Sequence, residues 1–186
     1  GKRFLSDDTY TLTGFNAFLD YDHYGNTRAS IGAEIKNAVM GLHSNYYKKI
    51  DNGSVDEKVL DGYDIELSSQ VPYLHWADIF YNTYHWDGVD RDDVKGTKIG
   101  TDLLLTSSLA LEAAYDDKDK KGLEDEWYAK ISFVHPPRKG ATAQDGVSSQ
   151  IWKKEKDMSG EMLTKVKRNN KIMIEFKGTG TISRLD

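Results

Sequence analysis

The sequence predicts an all-β fold: a transmembrane, antiparallel, up-and-down β-barrel. Three observations predict it. Apolar and polar residues alternate with period two over most of the chain, the pattern of strands with one apolar and one polar face. Short turns alternate with longer charged loops, as at the two ends of a meander barrel. Mean hydropathy is −0.65 although the 186 residues include eleven Tyr, six Phe and four Trp. That combination suits barrel strands, whose alternation averages to a hydrophilic value, better than a compact soluble core.

Nine strands are expected, near 2–5, 9–21, 27–36, 38–48, 63–73, 75–86, 95–105, 109–117 and 125–134. The clearest is "TRASIGAEI", where Ala29, Ile31, Ala33 and Ile35 oppose Arg28, Ser30, Gly32 and Glu34. "DIELSSQV" sets Ile65, Leu67 and Val71 against Asp64, Glu66, Ser68 and Gln70. "LALEAAY" and "DEWYAKISF" repeat the pattern around Glu112 and Lys130. For 9–21 and 75–86 both faces carry aromatics, and the phase stays open. Turn signals separate the strands: "DHYGN", "DNGS", "LDG", "TSS" and the charged loops "HWDGVDRDDVKG" and "DDKDKKG". Several strands reach about ten residues, enough to cross a bilayer at a tilt. Aromatics at strand ends (Tyr21, Tyr24, Tyr46, Tyr47, Tyr73, Trp76, Tyr84, Trp86) fit interfacial girdles.

After "HPP" the character changes. Residues 138–150 have a linker composition of Gly, Ser, Thr, Ala and Gln. Residues 151–166 suggest a short helix with Ile151, Trp152, Met158, Met162 and Leu163 on one edge. Then comes "KVKRNNKIMIEF", a polar double-Asn stretch leading into an apolar alternation.

Composition narrows the function. There is no Cys, hence no disulfide framework and no thiolate metal site. A net charge of −5 with mixed signs argues against nucleic-acid binding, and the Lys-rich 153–171 stretch is interleaved with Glu155, Asp157 and Glu161. No apolar run is long enough for a transmembrane helix, and no secretory leader is recognisable. The abrupt start at "GKRFL" reads as a mature form or a fragment. The five His have no zinc spacing, so no metal is expected. "DGVDRDD" and "DDKD" lack the EF-hand pattern and read as solvated loops. Asp64 and Glu66 share a strand face with many other charges, which reads as pore lining rather than a glycosidase pair. No nucleophile constellation is evident, so neither an enzyme nor a cofactor is expected. Periodicity alone also suits a soluble β-sandwich, or a soluble β-domain holding a small ligand.

Several segments resemble the β-domain of inverse autotransporters, the intimin and invasin family: "TLTGFNAFLDYD", "NTRASIGAE", "DGYDIEL" and, most specifically, "DMSGEMLTKVKRNNKIMIEF". In the last, Gly160, Val166, Arg168, Asn169, Asn170, Ile172, Ile174 and Phe176 stand at the family's linker positions. Met162 and Leu163 replace the Arg-Tyr common there. The resemblance implies a family barrel of twelve strands, so this chain is expected to lack the first ones. It implies three parts: barrel strands over 1–137, a lumenal linker with a short helix over 138–164, and an exit strand over 165–186. The lumen would be lined by Arg28, Glu34, Asp64, Glu66, Asp78, Lys98, Asp102, Glu112 and Lys130. The implied role is an outer-membrane anchor and translocator that exports and displays a C-terminal adhesin-type passenger. Its implied partners are outer-membrane lipid, the barrel-assembly machinery and the passenger itself. The other reading is an outer-membrane porin whose C-terminal segment is a plug.

Overall fold

The protein is described by a computed structural model covering residues 1–119, 124–135, 137–138, 140–153, 157–177 and 180–184. Residues 120–122 of the second charged loop, and 178–179 and 185–186 of the tail, lie outside the described residues. The strands in chain order are β1 (Lys2–Leu5), β2 (Thr11–Tyr21), β3 (Thr27–Asn37), β4 (Met40–Asp51), β5 (Glu57–Val59), β6 (Gly62–Val71), β7 (Leu74–Trp86), β8 (Val94–Thr106), β9 (Leu109–Lys118), β10 (Glu126–Phe133), β11 (Ile172–Phe176) and β12 (Gly180–Arg184). Nine of them form one antiparallel meander in the order β1-β2-β3-β4-β6-β7-β8-β9-β10. These are the nine strands expected from the alternation. A second, three-stranded sheet has the order β12-β11-β5.

Register decides which face each side chain takes. Gly14 lies opposite Glu34, Gly32 opposite Asn45, Asn45 opposite Asp64 and Asp64 opposite Tyr84. Asp78 lies opposite Asp102, Asp102 opposite Glu112 and Glu112 opposite Lys130. Because side chains alternate along a strand, these pairings put all nine residues expected to line the lumen on one face of the sheet. The distribution of exposure is inverted relative to a soluble protein. On the inner face Arg28 is 0%, Glu34 5% and Asp64 5% exposed, while on the outer face Trp127 is 78% and Phe133 89% exposed. Phe15, Leu19, Ile31, Ile99 and Ile131 share that exposed face. An apolar band of this extent is stable against lipid rather than water. β2, β3 and β4 have 11, 11 and 12 residues and β7 and β8 have 13 each, lengths that cross a bilayer at a tilt.

Register also settles the open phases. Tyr21, Tyr24, Tyr46 and Tyr73 are exposed, as interfacial aromatics should be. Tyr47, Tyr84 and Trp86 point the other way and are buried on the inner face, so they do not belong to a girdle. There they pack with Leu60 and Val94, against Met173 from β11. Val59, Ile172 and Ile174 form an adjoining cluster flanked by Phe176. These two clusters lie at the long-loop end, while Leu12 and Met158 are buried at the short-turn end. Each contributes roughly 1.5–3 kcal/mol by leaving water.

The sheet is curled. On a flat sheet β1 and β8 would lie about 29 Å apart, yet Arg3 of β1 bonds the carbonyl of Thr164 and Asp102 of β8 bonds Lys167, three residues on. A sheet curled around this segment brings both walls within its reach. The curl stops short of closure: among the described residues β1 and β10 are the two edges of the sheet.

Candidate functional site

The site is the chain segment after β10 and the inner-face side chains that hold it. The segment first follows the short-turn end of the sheet, against the order of the strands. Val134 and Arg138 donate backbone N–H groups to Ser108 and Ser107 in the β8–β9 turn. Ser148 donates to the Tyr73 carbonyl, and Tyr73 donates to that of Ile151, at the β6–β7 turn. Trp76 Nε1 reaches the Gly146 carbonyl at 2.8 Å and His75 Nε2 lies 2.9 Å from that of Gln150. Lys153 N–H donates to Gln70 Oε1 at 3.0 Å, and Gln70 Nε2 donates onward to the Ala38 carbonyl of the β3–β4 turn at 3.3 Å. Last, Met158 donates to the Thr9 carbonyl in the β1–β2 turn at 2.9 Å. Thr9 and Tyr73, two of the turn residues that receive the segment, have φ of 61° and 66°. These left-handed values are unfavourable for non-glycine residues and persist only where the surroundings impose them.

Local chemistry explains the shape of this stretch. Within 151–166, where a short helix was expected, the described residues have a single 3-10 turn at Met158–Glu161; another lies in the linker stretch at Ala143–Asp145. Asp157 caps the Met158–Glu161 turn through Ser159 N–H at 2.9 Å, and Ser159 and Gly160 are poor at extending a helix further. Asp145 accepts from the Thr142 N–H, which holds its carboxyl below the usual range. Asp8, in the β1–β2 turn, is held low by the Ser6 hydroxyl and the Tyr10 N–H.

From Glu161 to Lys171 the segment crosses the inner face. Arg3 is its first anchor. One guanidinium donates to the carbonyls of Glu161, Met162 and Thr164 at 3.0, 3.0 and 2.6 Å, and to Glu34 at 2.6 Å. Lys36 reaches Thr164 Oγ1 and Glu161 Oε2 at 3.2 and 3.4 Å. Lys167 Nζ then bridges Glu66 and Asp102, both at 2.7 Å, over the Phe80 ring. Arg168 grips Asp20 with both terminal nitrogens, at 2.9 and 2.8 Å, and stacks over Phe18. Arg28 shares the same carboxylate at 2.8 Å and donates to the carbonyls of Asn169 and Lys171 at 2.8 and 2.9 Å. Its guanidinium lies over the Tyr47 ring, 4.4 Å from the centroid. Asn169 N–H donates to Tyr47 Oη at 2.7 Å, and that hydroxyl donates to Asp64 at 2.6 Å. Asn45 closes the ring by donating to Asp64 and to the Lys167 carbonyl, at 2.8 and 3.1 Å.

Beyond Lys171 the chain becomes β11 and adds to β5, a three-residue strand in the β4–β6 loop, with Ile174 opposite Val59. Glu175 accepts from the backbone N–H groups of Val89 and Asp90, at 3.1 and 3.0 Å, and so fixes the β7–β8 loop to the emerging chain. Asn26 ties the β2–β3 turn to Glu57 and to Gly53 N–H, at 2.5 and 2.8 Å. Gly53 is required there, because a Cβ would stand 2.0 Å from the Tyr24 carbonyl oxygen.

Of the residues expected on the lumen wall, Arg28, Glu66 and Asp102 touch the crossing segment directly, while Glu34 and Asp64 orient side chains that do. Lys98 pairs with Asp116 at 3.5 Å, and Glu112 accepts from Tyr128 and Lys130 at 2.8 and 3.5 Å, along the wall. Asp78 faces Asp102 across the β7–β8 pair. Of the linker-motif residues, Arg168 and Asn169 make the anchoring bonds, Gly160 sits in the 3-10 turn, and Val166 is half-buried. Asn170 is exposed, and Ile172, Ile174 and Phe176 pack at the long-loop end. Sequence reasoning overlooked Arg3, Asp20, Asn45, Tyr47 and Lys167. Asp20 was within reach, because it continues the phase of Leu12, Gly14 and Asn16. At the start of the β7–β8 loop His85 lies 2.9 Å from Asp87 and 3.4 Å from Asp93, with Tyr63 stacked on its ring and Lys95 near Asp93. These are metal-ligand types in reach of one another, a grouping the sequence reading had set aside.

Comparison with known proteins follows this geometry. The family profile described as "Inverse autotransporter, beta-domain" matches residues 1–170. Intimin of Escherichia coli O111:H- is 25% identical over 198 aligned residues, covering 98% of this chain and 21% of that protein. Intimin of Citrobacter freundii is 24% identical over the same extent. The inverse autotransporter adhesin YeeJ of Escherichia coli K12 is 25% identical, covering 89% of this chain and 8% of its own length. The chain thus spans about a fifth of the intimins it matches. A chain solved in work on the in-meso crystallization of membrane proteins superposes with a TM-score of 0.72 at 20% identity, covering 94% of this chain and 77% of that one. It shares the fold.

Proposed function

Because this chain belongs to the inverse autotransporter β-domain family, whose members are bacterial outer-membrane proteins, we propose that it anchors and exports a C-terminal passenger to the cell surface. One observation carries the reading. A single covalent segment leaves the last barrel strand at the short-turn end, crosses the inner face under charge and hydrogen-bond anchors, and leaves at the long-loop end paired with β5. Short turns face the periplasm and long loops the exterior in bacterial barrels, so the segment runs outward. The described residues between 138 and 160 serve as its rim-bound part, 161–171 as its lumenal part, and the chain from Ile172 as its exit.

The free edges of β1 and β10 are taken up by further strands of the same barrel, since bacterial barrels close with an even number and lipid tolerates no open edge. Insertion draws on the cell's barrel-assembly machinery, and lipid packs against the outer rows. The passenger is of adhesin type. The segment performs no chemistry on a substrate; it occupies the lumen and holds a load.

The test uses the full-length gene product in cell envelopes. Outer-membrane fractionation and a heat-dependent shift on SDS gels are expected, together with protease-accessible chain beyond Lys177 on intact cells. Purified protein in planar bilayers should conduct poorly and open when 138–186 are deleted. A wide open pore with the tail present refutes the export reading; a pore that opens only on deletion, with a tail never reachable from outside, leaves a porin with a C-terminal plug.

A further inference from the structure

The lumen wall is segregated by charge. On β6 to β9 the inner face is dominated by carboxylates, among them Glu66, Asp78 and Asp102. On β1 to β3 it carries the cations Arg3, Arg28 and Lys36 beside two carboxylates, Glu34, which Arg3 engages, and Asp20, an acidic notch between Arg28 and Arg168. Lys167 and Arg168 are adjacent in sequence and project to opposite walls, Lys167 to Glu66 and Asp102, Arg168 to Asp20. Successive side chains of an extended backbone point opposite ways, so each wall reads alternate residues.

Between Asp157 and Lys177, Lys167–Arg168 is the one pair of adjacent cations in the sequence. Advancing the chain outward by two residues would put Lys165 and Val166 in their places and leave Asp20 without its bidentate partner. Drawing it inward by two would bring Asn169 and Asn170, and leave Glu66, Asp102 and Asp20 all short of a cation. One-residue slips send each side chain to the wrong wall. We propose that this charge-segregated lumen is a register stop: it arrests the moving chain where an adjacent Lys-Arg pair meets the acidic wall and the Asp20 notch together. The proposal rests on the export reading and specifies how movement through the site ends.

The register can be read above the lumen, where Ile174 lies opposite Val59. This chain has no native Cys. In the full-length protein, one cysteine is fixed at position 59 and a second is scanned over 172, 174 and 176; the disulfide formed reports the register. With native charges the 59–174 product dominates. Val166→Arg with Arg168→Val keeps composition and moves the Lys-Arg pair two residues upstream, with the same order of walls. The expected result is a two-residue outward shift, with 59–172 rising at least fivefold relative to 59–174. Separately, Lys167→Glu should lower the 59–174 product at least fivefold and spread cross-links over the scanned positions. Adding Glu66→Lys and Asp102→Lys should restore it. A 59–174 product that persists alone in both variants overturns the proposal and assigns the register to β5–β11 packing. If the double-cysteine protein with native charges shows the 59–174 bond but never exposes the chain beyond Lys177 on cells, the export reading fails while the register stop stands.

Discussion

Replacing Asp20 by Asn should release the lumenal segment. The substitution keeps the shape of the side chain and removes the one carboxylate shared by Arg28 and Arg168, leaving two guanidiniums facing each other. The side chains of Arg28, Arg168 and Asp20 are 0, 13 and 12% exposed. At an effective dielectric near 20, one such contact is worth about 4 kcal/mol of Coulomb energy at 4 Å. Breaking a buried pair by removing one partner costs about 3–5 kcal/mol. Lumenal water reaching Asp20 places the expected loss at the low end, about 3 kcal/mol, or about 150-fold in the ratio of docked to undocked segment. The assay is thiol modification of a single cysteine at Ile172, which is 3% exposed and follows directly on the Lys171 carbonyl held by Arg28. Its rate should rise about 100-fold in the Asp20→Asn protein. Arg168→Lys, which keeps the charge but loses the two-pronged grip, should raise it about tenfold. A rate within twofold of the parent in the Asp20→Asn protein would show that the ion cluster does not hold the segment.

Thr9→Gly removes a left-handed strain and should stabilise the short-turn end by about 1 kcal/mol, read as a higher urea midpoint of the gel-mobility transition. Glu175→Gln weakens acceptance from Val89 and Asp90 N–H; amide exchange at those two residues should speed up about tenfold, matching a loss of about 1.5 kcal/mol for bonds to a charged acceptor. The Asp145 carboxylate is held low by Thr142 N–H, so its contribution is complete above pH about 4, the ordinary carboxylate value, and fades as pH falls through the lower folded value. The Thr142 amide resonance should report that fading, and in Asp145→Asn it should lose its pH dependence.

The meander was legible because its signal is local. Alternation in "TRASIGAEI" or "DIELSSQV" needs no partner to be read, and it groups Arg28, Glu34, Asp64 and Glu66 by phase along their own strands. What it could not give was pairing across distance. Arg28 meets Asp20 across the β2–β3 hairpin and Tyr47 on the neighbouring strand, but it meets Asn169, 141 residues on, only when the curled sheet surrounds the segment. Tyr84 and Trp86 looked like interfacial aromatics because His85 between them is also aromatic, which hides the phase. β5 is three residues inside a loop and becomes a strand only when β11 pairs with it. The rim contacts of 134–158 run mostly through backbone groups, which every sequence supplies, so Gly- and Ser-rich composition could only read as a linker.

The rim-bound stretch and the lumenal stretch differ in how they meet a pulling force. Tension on the chain beyond Lys177 acts along the barrel axis. In the lumen it shears the bridges from Lys167, Arg168 and Arg28 together, so they share it. At the rim the same tension would peel bonds one after another, beginning with Met158 on Thr9 and travelling back toward Ser107. In the proposed role as a tether, the strong joint is thus placed ahead of the weak one: while the shared joint holds, the rim carries no load.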